Sequence, residues 1–142
     1  MAIFKAMKQL LLLLALLLSP ALAQAQLSDL ISLSPAADYE NVHVQPIAQD
    51  SLCSSFVIWI KERVPAHYHA AHSEQVYILS GSGEMQLGEE HLSVKAGDYI
   101  FIPMGTVHAV EVSSEEPLKV LSVQAPHFDG SDRVWVTEEE KE

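Results

Sequence analysis

Between Val42 and Gln124 no stretch keeps a helical period; short apolar runs are cut at close intervals by turn residues. The turn signals are Gly81-Ser82-Gly83, Gly88-Glu89-Glu90, Ala96-Gly97-Asp98, Pro103-Met104-Gly105 and Ser114-Glu115-Glu116-Pro117. They delimit candidate strands at Val42–Ile47, Ser55–Glu62, Ala66–His69, Gln75–Ser80, Gly83–Leu87, His91–Val94, Tyr99–Ile102, His108–Val112 and Leu118–Gln124. Strands this short, set this close, bury their apolar faces by stacking or closing antiparallel sheets. The expected class is therefore all-β, a single antiparallel sandwich or barrel.

The ends of the chain read differently. Lys5 and Lys8 precede the unbroken apolar run Leu10 to Leu18, Pro20 breaks it, and small-x-small sites follow around Ala23 and Ala25. Nine apolar residues are too few to cross a bilayer, which takes about 20. Residues 1–25 are thus expected to be a signal peptide cut near Ala23 or Ala25, leaving a periplasmic or secreted protein with no membrane association. Without Lys5 and Lys8, six basic residues stand against 19 acidic ones. That balance argues against nucleic acid, whose affinity comes from basic side chains on phosphate. Residues 26–41 lack a period and carry Ser34-Pro35, so they read as a leader packed along the barrel of 42–128. Residues 129–142 end in Glu138-Glu139-Glu140-Lys141-Glu142 and read as an acidic tail. Cys53 is the only cysteine, so no intrachain disulfide can form and the fold must rest on one apolar core.

Four residues carry the chemistry. His67 and His69 are two apart on a strand and point to the same face, with Tyr68 opposite. Glu74 opens the next strand after a short loop, and His108 opens a later one just past the Pro103–Gly105 turn. Two sequence-adjacent strands and a distant one, converging inside a barrel, would bring the four side chains together. Neutral imidazoles with a carboxylate suit one divalent transition metal, Mn, Fe, Ni, Cu or Zn, whereas calcium prefers oxygen. Four protein ligands leave two positions of an octahedral ion for other groups.

This stretch resembles the cupin superfamily, whose first motif is G-x5-H-x-H-x(3,4)-E-x6-G. His67, His69, Glu74 and Gly81 match it in register. Gly97, Pro103, Gly105 and His108 match the second motif, G-x5-P-x-G-x2-H-x3-N. Lys61 stands for the opening glycine and Val112 for the closing asparagine, neither of them a ligand position. The resemblance implies a double-sheet jelly-roll β-barrel, metal ligation by His67, His69, Glu74 and His108, and a homodimer built on one sheet. It implies no particular reaction, because the fold hosts many. Gly81 and Gly97 are expected at positive φ, and Pro103 with Gly105 at the corner that presents His108.

The other histidines have no partner at ligand spacing: His72 reads as an exposed loop residue, and His43, His91 and His127 as structural or exposed. Trp59, Tyr68, Tyr77, Tyr99 and Phe101 read as core or interface packing. The segment from Ala125 to Arg133 reads as a capping loop, with a lid over the barrel mouth as its alternative.

Three function classes fit. The first is a metal-dependent enzyme of dioxygenase type acting on a small organic substrate, with Glu74 as a base as well as a ligand. The second is a metal-dependent lyase or sugar isomerase, which consumes no dioxygen. The third is a non-catalytic module that binds a metal or small ligand.

Overall fold

The computed structural model describes residues 26–136, so the expected signal peptide and the end of the acidic tail lie outside the described residues. Ten strands and no helix are found among those residues: β1 (Val42–Gln49), β2 (Ser54–Ile60), β3 (Arg63–His69), β4 (Ser73–Ser80), β5 (Ser82–Leu87), β6 (Glu90–Lys95), β7 (Tyr99–Ile102), β8 (His108–Val112), β9 (Leu118–Ala125) and β10 (Arg133–Trp135). They form two antiparallel five-stranded sheets, ordered β1-β2-β9-β4-β7 and β10-β3-β8-β5-β6. Most neighbours within a sheet are distant in sequence, as in a jelly roll.

Most strands alternate in burial, and their inward residues meet in one core. Ile60, Val76, Ile78, Ile100, Ile102, Leu118 and Val120 come from the first sheet, Met85 and Val94 from the second. Each aliphatic side chain buried this fully contributes roughly 1.5–3 kcal/mol. The turns hold the pairing: Gly81 takes φ +81°, and a Cβ there would lie 2.9 Å from the Leu118 Cα and the Pro117 carbonyl oxygen.

Three features depart from the sequence expectation. First, β3 begins at Arg63 and runs through Pro65, where a proline argues for a break. The strand survives because its pairing with β8 shifts between Val64 and His67, so the missing N–H falls where the ladder is irregular. Second, the barrel does not end at residue 128. Arg133–Trp135 pairs with His67–His69 as β10, so the start of the expected tail is an edge strand and not a free end. Three residues are too few for their alternation to register in sequence. The Ala125 to Arg133 segment is pinned as well: the Phe128 amide donates to Ser54 Oγ at 3.0 Å, and the Phe128 ring is buried.

Third, the aromatics divide. Trp59 is buried, whereas Tyr77, Tyr99 and Phe101 stand exposed on β4 and β7. Trp59 faces away from the barrel interior and is covered by its surroundings there. Lys119, buried beside it, donates through Nζ to the carbonyls of Ile31 and Leu33 at 2.9 and 2.7 Å. The leader 26–41, which carries no strand or helix, is thereby tied to the outer face of the first sheet.

Candidate metal centre

β3 and β8 are hydrogen-bonded neighbours, and their register places His67 directly opposite His108. Inward alternation adds His69, two residues along β3. The three imidazoles each offer a nitrogen within 4.8 Å of the others, and all three residues are buried. Glu74 arrives from β4, which belongs to the other sheet. The carboxylate is therefore presented across the barrel, and not from a strand beside β3. Its Oε2 lies 3.3 Å from His69 Nε2 and 3.4 Å from His108 Nε2.

Backbone carbonyls set the tautomers. His67 Nδ1 donates to the Pro65 carbonyl and His108 Nδ1 to the Thr106 carbonyl, both at 2.9 Å. Each ring then carries its proton on Nδ1, and Nε2 is left as a lone-pair donor. The turn that presents His108 is itself anchored, since the Gly105 amide donates to the His69 carbonyl at 2.8 Å. Gly105 can do so at φ +78°, a conformation that favours glycine.

Glu74 is held from behind. Ser122 Oγ donates to its Oε1 at 2.5 Å, and Gln124 Nε2 approaches the same oxygen at 3.4 Å. Burial alone would push the Glu74 carboxyl up. A proton on the facing Nε2 of His108 or His69, together with the Ser122 hydroxyl, outweighs it in the metal-free site and holds the group well below the ordinary carboxylate range. The His67 pKa also falls, to about 4, because burial and His108 beside it disfavour the imidazolium. The ring therefore stays neutral, as a metal ligand must.

His72 is buried and not exposed in its loop. Its Nδ1 donates to Asp132 Oδ2 at 2.5 Å and its Nε2 to the His127 carbonyl at 2.8 Å. Both ring nitrogens face acceptors, so the ring is an imidazolium paired with a carboxylate. Burial disfavours that charge, but the hydrogen bonds to Asp132 and to the His127 carbonyl prevail and raise the His72 pKa above 6.5. The other Asp132 oxygen, Oδ1, lies 3.5 Å from His69 Nδ1. Asp132 thus stands behind His69, the position from which a carboxylate orients a metal-binding imidazole. No spacing rule links Asp132 to His69; only the β10–β3 pairing does. Of the remaining histidines, His43 packs between Tyr39 and Trp59, and His91 and His127 are exposed.

The donor set fits a divalent transition metal. His69 Nε2 and His108 Nε2 are buried without a hydrogen-bond partner, a costly state for a polar atom unless it has another use. They converge with His67 and a buried carboxylate, the nitrogen-rich mixture that such ions prefer. Beside the cluster opens a cavity of about 210 Å³, lined by His67, Glu74 and His108 at one end and mainly by aliphatic side chains elsewhere.

Residues 55–124 match the Cupin_2 family, the Cupin domain. An uncharacterized protein of Aquifex aeolicus is 36% identical over 97 residues, covering 68% of this chain and 79% of its own length. Quercetin 2,3-dioxygenase of Bacillus subtilis is 27% identical over 92 residues, which cover 61% of this chain and only 27% of that enzyme. Among solved structures, an uncharacterized double-stranded β-helix protein of Klebsiella pneumoniae superposes with a TM-score of 0.68 at 18% identity, covering 81% of this chain and all of the other. The matched stretch contains β3, β4 and β8, the strands that bring the three histidines and Glu74 together, and on these grounds the chain belongs to the cupin superfamily.

Proposed function

We propose that this protein is an exported, metal-dependent enzyme of dioxygenase type acting on a small organic substrate. His67, His69, Glu74 and His108 would hold one divalent ion, with Mn, Fe, Ni, Cu and Zn all compatible with the donors. The observation that carries the reading is the convergence of buried, unpartnered imidazole nitrogens beside a mainly apolar cavity that opens to solvent. When bound, the metal supplies Lewis-acid and electron-transfer chemistry at positions the protein does not fill. The likeness to quercetin 2,3-dioxygenase supports the choice of an oxygen-using reaction.

The chain's own residues have distinct parts in this reading. Aliphatic walls exclude water from the reacting end of the cavity. Ser122 and Gln124 aim Glu74, leaving its Oε2 free to serve as ligand and to accept a substrate proton. Asp132 keeps His69 turned toward the ion. Export belongs to the same proposal, on the strength of the apolar run in residues 1–25. So does a homodimer, for which exposed Tyr77, Tyr99 and Phe101 offer an apolar face.

The test is element analysis of protein recovered from its native compartment, followed by a substrate screen of phenols and diketones in an oxygen electrode. Stoichiometric metal with substrate-dependent oxygen uptake is expected. Turnover that persists without oxygen would replace the reading with a lyase or isomerase. Absence of metal, and no uptake of any of the five ions by the apo-protein, would end it.

A further inference from the structure

The chain has only two arginines, Arg63 and Arg133, and both line the cavity beside the histidines. In a protein of formal charge −11 this placement is not a sampling of the surface. Arg133 pairs with His69 across β10 and β3, and Trp135 with His67, so both side chains share the inward face of the histidines. Outward Val134 pairs with outward Tyr68.

Arg133 is half-buried and has no anionic partner among the described residues. Its Nε is buried with no hydrogen-bond partner, and no carboxylate among the described residues forms an ion pair with it. Its guanidinium carbon lies 5.7 Å from the Phe128 ring and 5.6 Å from the Trp135 ring, which restrain it but accept no ionic hydrogen bonds. Arg63 is exposed and so stands at the cavity mouth. Among the described residues, the only carboxylate lining the cavity is Glu74, which already faces His69, His108 and Ser122. A divalent ion there would leave the chamber with surplus positive charge, so the missing partner is an anion. Guanidinium favours planar carboxylates, which it binds through two parallel hydrogen bonds.

Size limits the rest of the molecule. An apolar cavity of about 150 Å³ takes benzene, so about 210 Å³ holds one ring and a small acidic group. We propose that the cavity takes a monocyclic or similarly compact organic acid, its apolar body against the aliphatic walls and its carboxylate on Arg133, with Arg63 attracting it at the mouth. This assignment deepens the proposed enzyme reading and rests on it for the identity of the site. Arg133 would then be the residue that selects acids over neutral analogues.

The experiment is calorimetric titration of zinc-loaded protein, its metal content verified first, with benzoate, phenylacetate, cyclohexanecarboxylate and hexanoate, each against its primary amide. The same titrations on metal-free protein separate the arginine from the ion. At least one acid should bind ten-fold or more tighter than its amide in both forms. Arg133→Met should erase that preference while amide binding persists, and Arg133→Lys should restore part of it. Arg63→Met should slow acid association with a smaller effect on affinity. Matching melting temperatures show that the variants fold; if Arg133→Met does not, Arg133→Lys and Arg133→Gln carry the comparison. Four acids that bind no better than their amides, or an acid preference unchanged in the Arg133 variants, would overturn the proposal. Failure of zinc to load would count against the metal reading alone, since the acid–amide contrast in metal-free protein stands apart from it.

Discussion

Asp132 Oδ1 lies 3.5 Å from His69 Nδ1, while Oδ2 of the same carboxylate holds His72. One side chain on the approach to β10 therefore stands behind a ligand candidate on β3, close to its Nδ1 but without a hydrogen bond to it, and neutralises a buried imidazolium in the loop that follows. The Ala71 amide, donating to Oδ2 at 2.8 Å, fixes the carboxylate between them.

Asp132→Asn should weaken metal binding by roughly 10- to 100-fold, the usual cost of losing such an orienting partner. Competition titration against a chromophoric chelator measures this, with circular dichroism to confirm the fold. Unchanged affinity would remove Asp132 from the site.

His69→Ala and His108→Ala should each abolish stoichiometric metal, since both present buried, unpartnered Nε2 atoms. Glu74→Gln should retain the ion at lower affinity but lose turnover, because an amide cannot accept a substrate proton. Equal metal content and activity in Glu74→Gln and the parent would exclude Glu74 from both roles.

The His72–Asp132 pair predicts a stability plateau in metal-free protein. The His72 pKa is raised above 6.5, so its contribution is complete below that value and disappears as pH rises through the raised folded value. Burial disfavours the Asp132 carboxylate, but hydrogen bonds from His72 and the Ala71 amide lower its pKa below 3.8. Its contribution is complete above 3.8 and disappears as pH falls through the lowered folded value. Melting temperatures across this range, compared with His72→Gln, should differ most on the plateau and converge at alkaline pH. NMR should place the His72 titration above 6.5 in the parent and lower in Asp132→Asn.

Gly81→Ala and Gly97→Ala should separate two costs. Both glycines have positive φ, so each substitution incurs about 1–2 kcal/mol of left-handed strain. At Gly97 a Cβ meets nothing within 4 Å, whereas at Gly81 it meets backbone at 2.9 Å. Denaturant unfolding should therefore show Gly81→Ala to be the more damaging by at least about 1 kcal/mol. Equal losses would mean that the β9 backbone yields.

Much of the fold was legible because its signals are local. Alternation marked nine strands, and Gly81 and Gly97 do take positive φ. The pairing of His67 and His69 on one face follows from period two alone. β10 was illegible, since three residues after a glycine turn carry no pattern. With it went Asp132 and Arg133, and also the burial of His72, whose cover is the segment that leads into β10.

The amino-acid sequence by itself determined an all-β chain, the two-residue phase that points His67 and His69 the same way, and the turns that frame His108. Tertiary structure alone decided that β3 lies against β8, that Glu74 reaches the histidines from the opposite sheet, and that Arg133 enters the cavity. The division has a physical cause. Side-chain phase and turn geometry are properties of a few consecutive residues, whereas strand pairing is settled by burying both apolar faces at once, a condition that no local stretch can express.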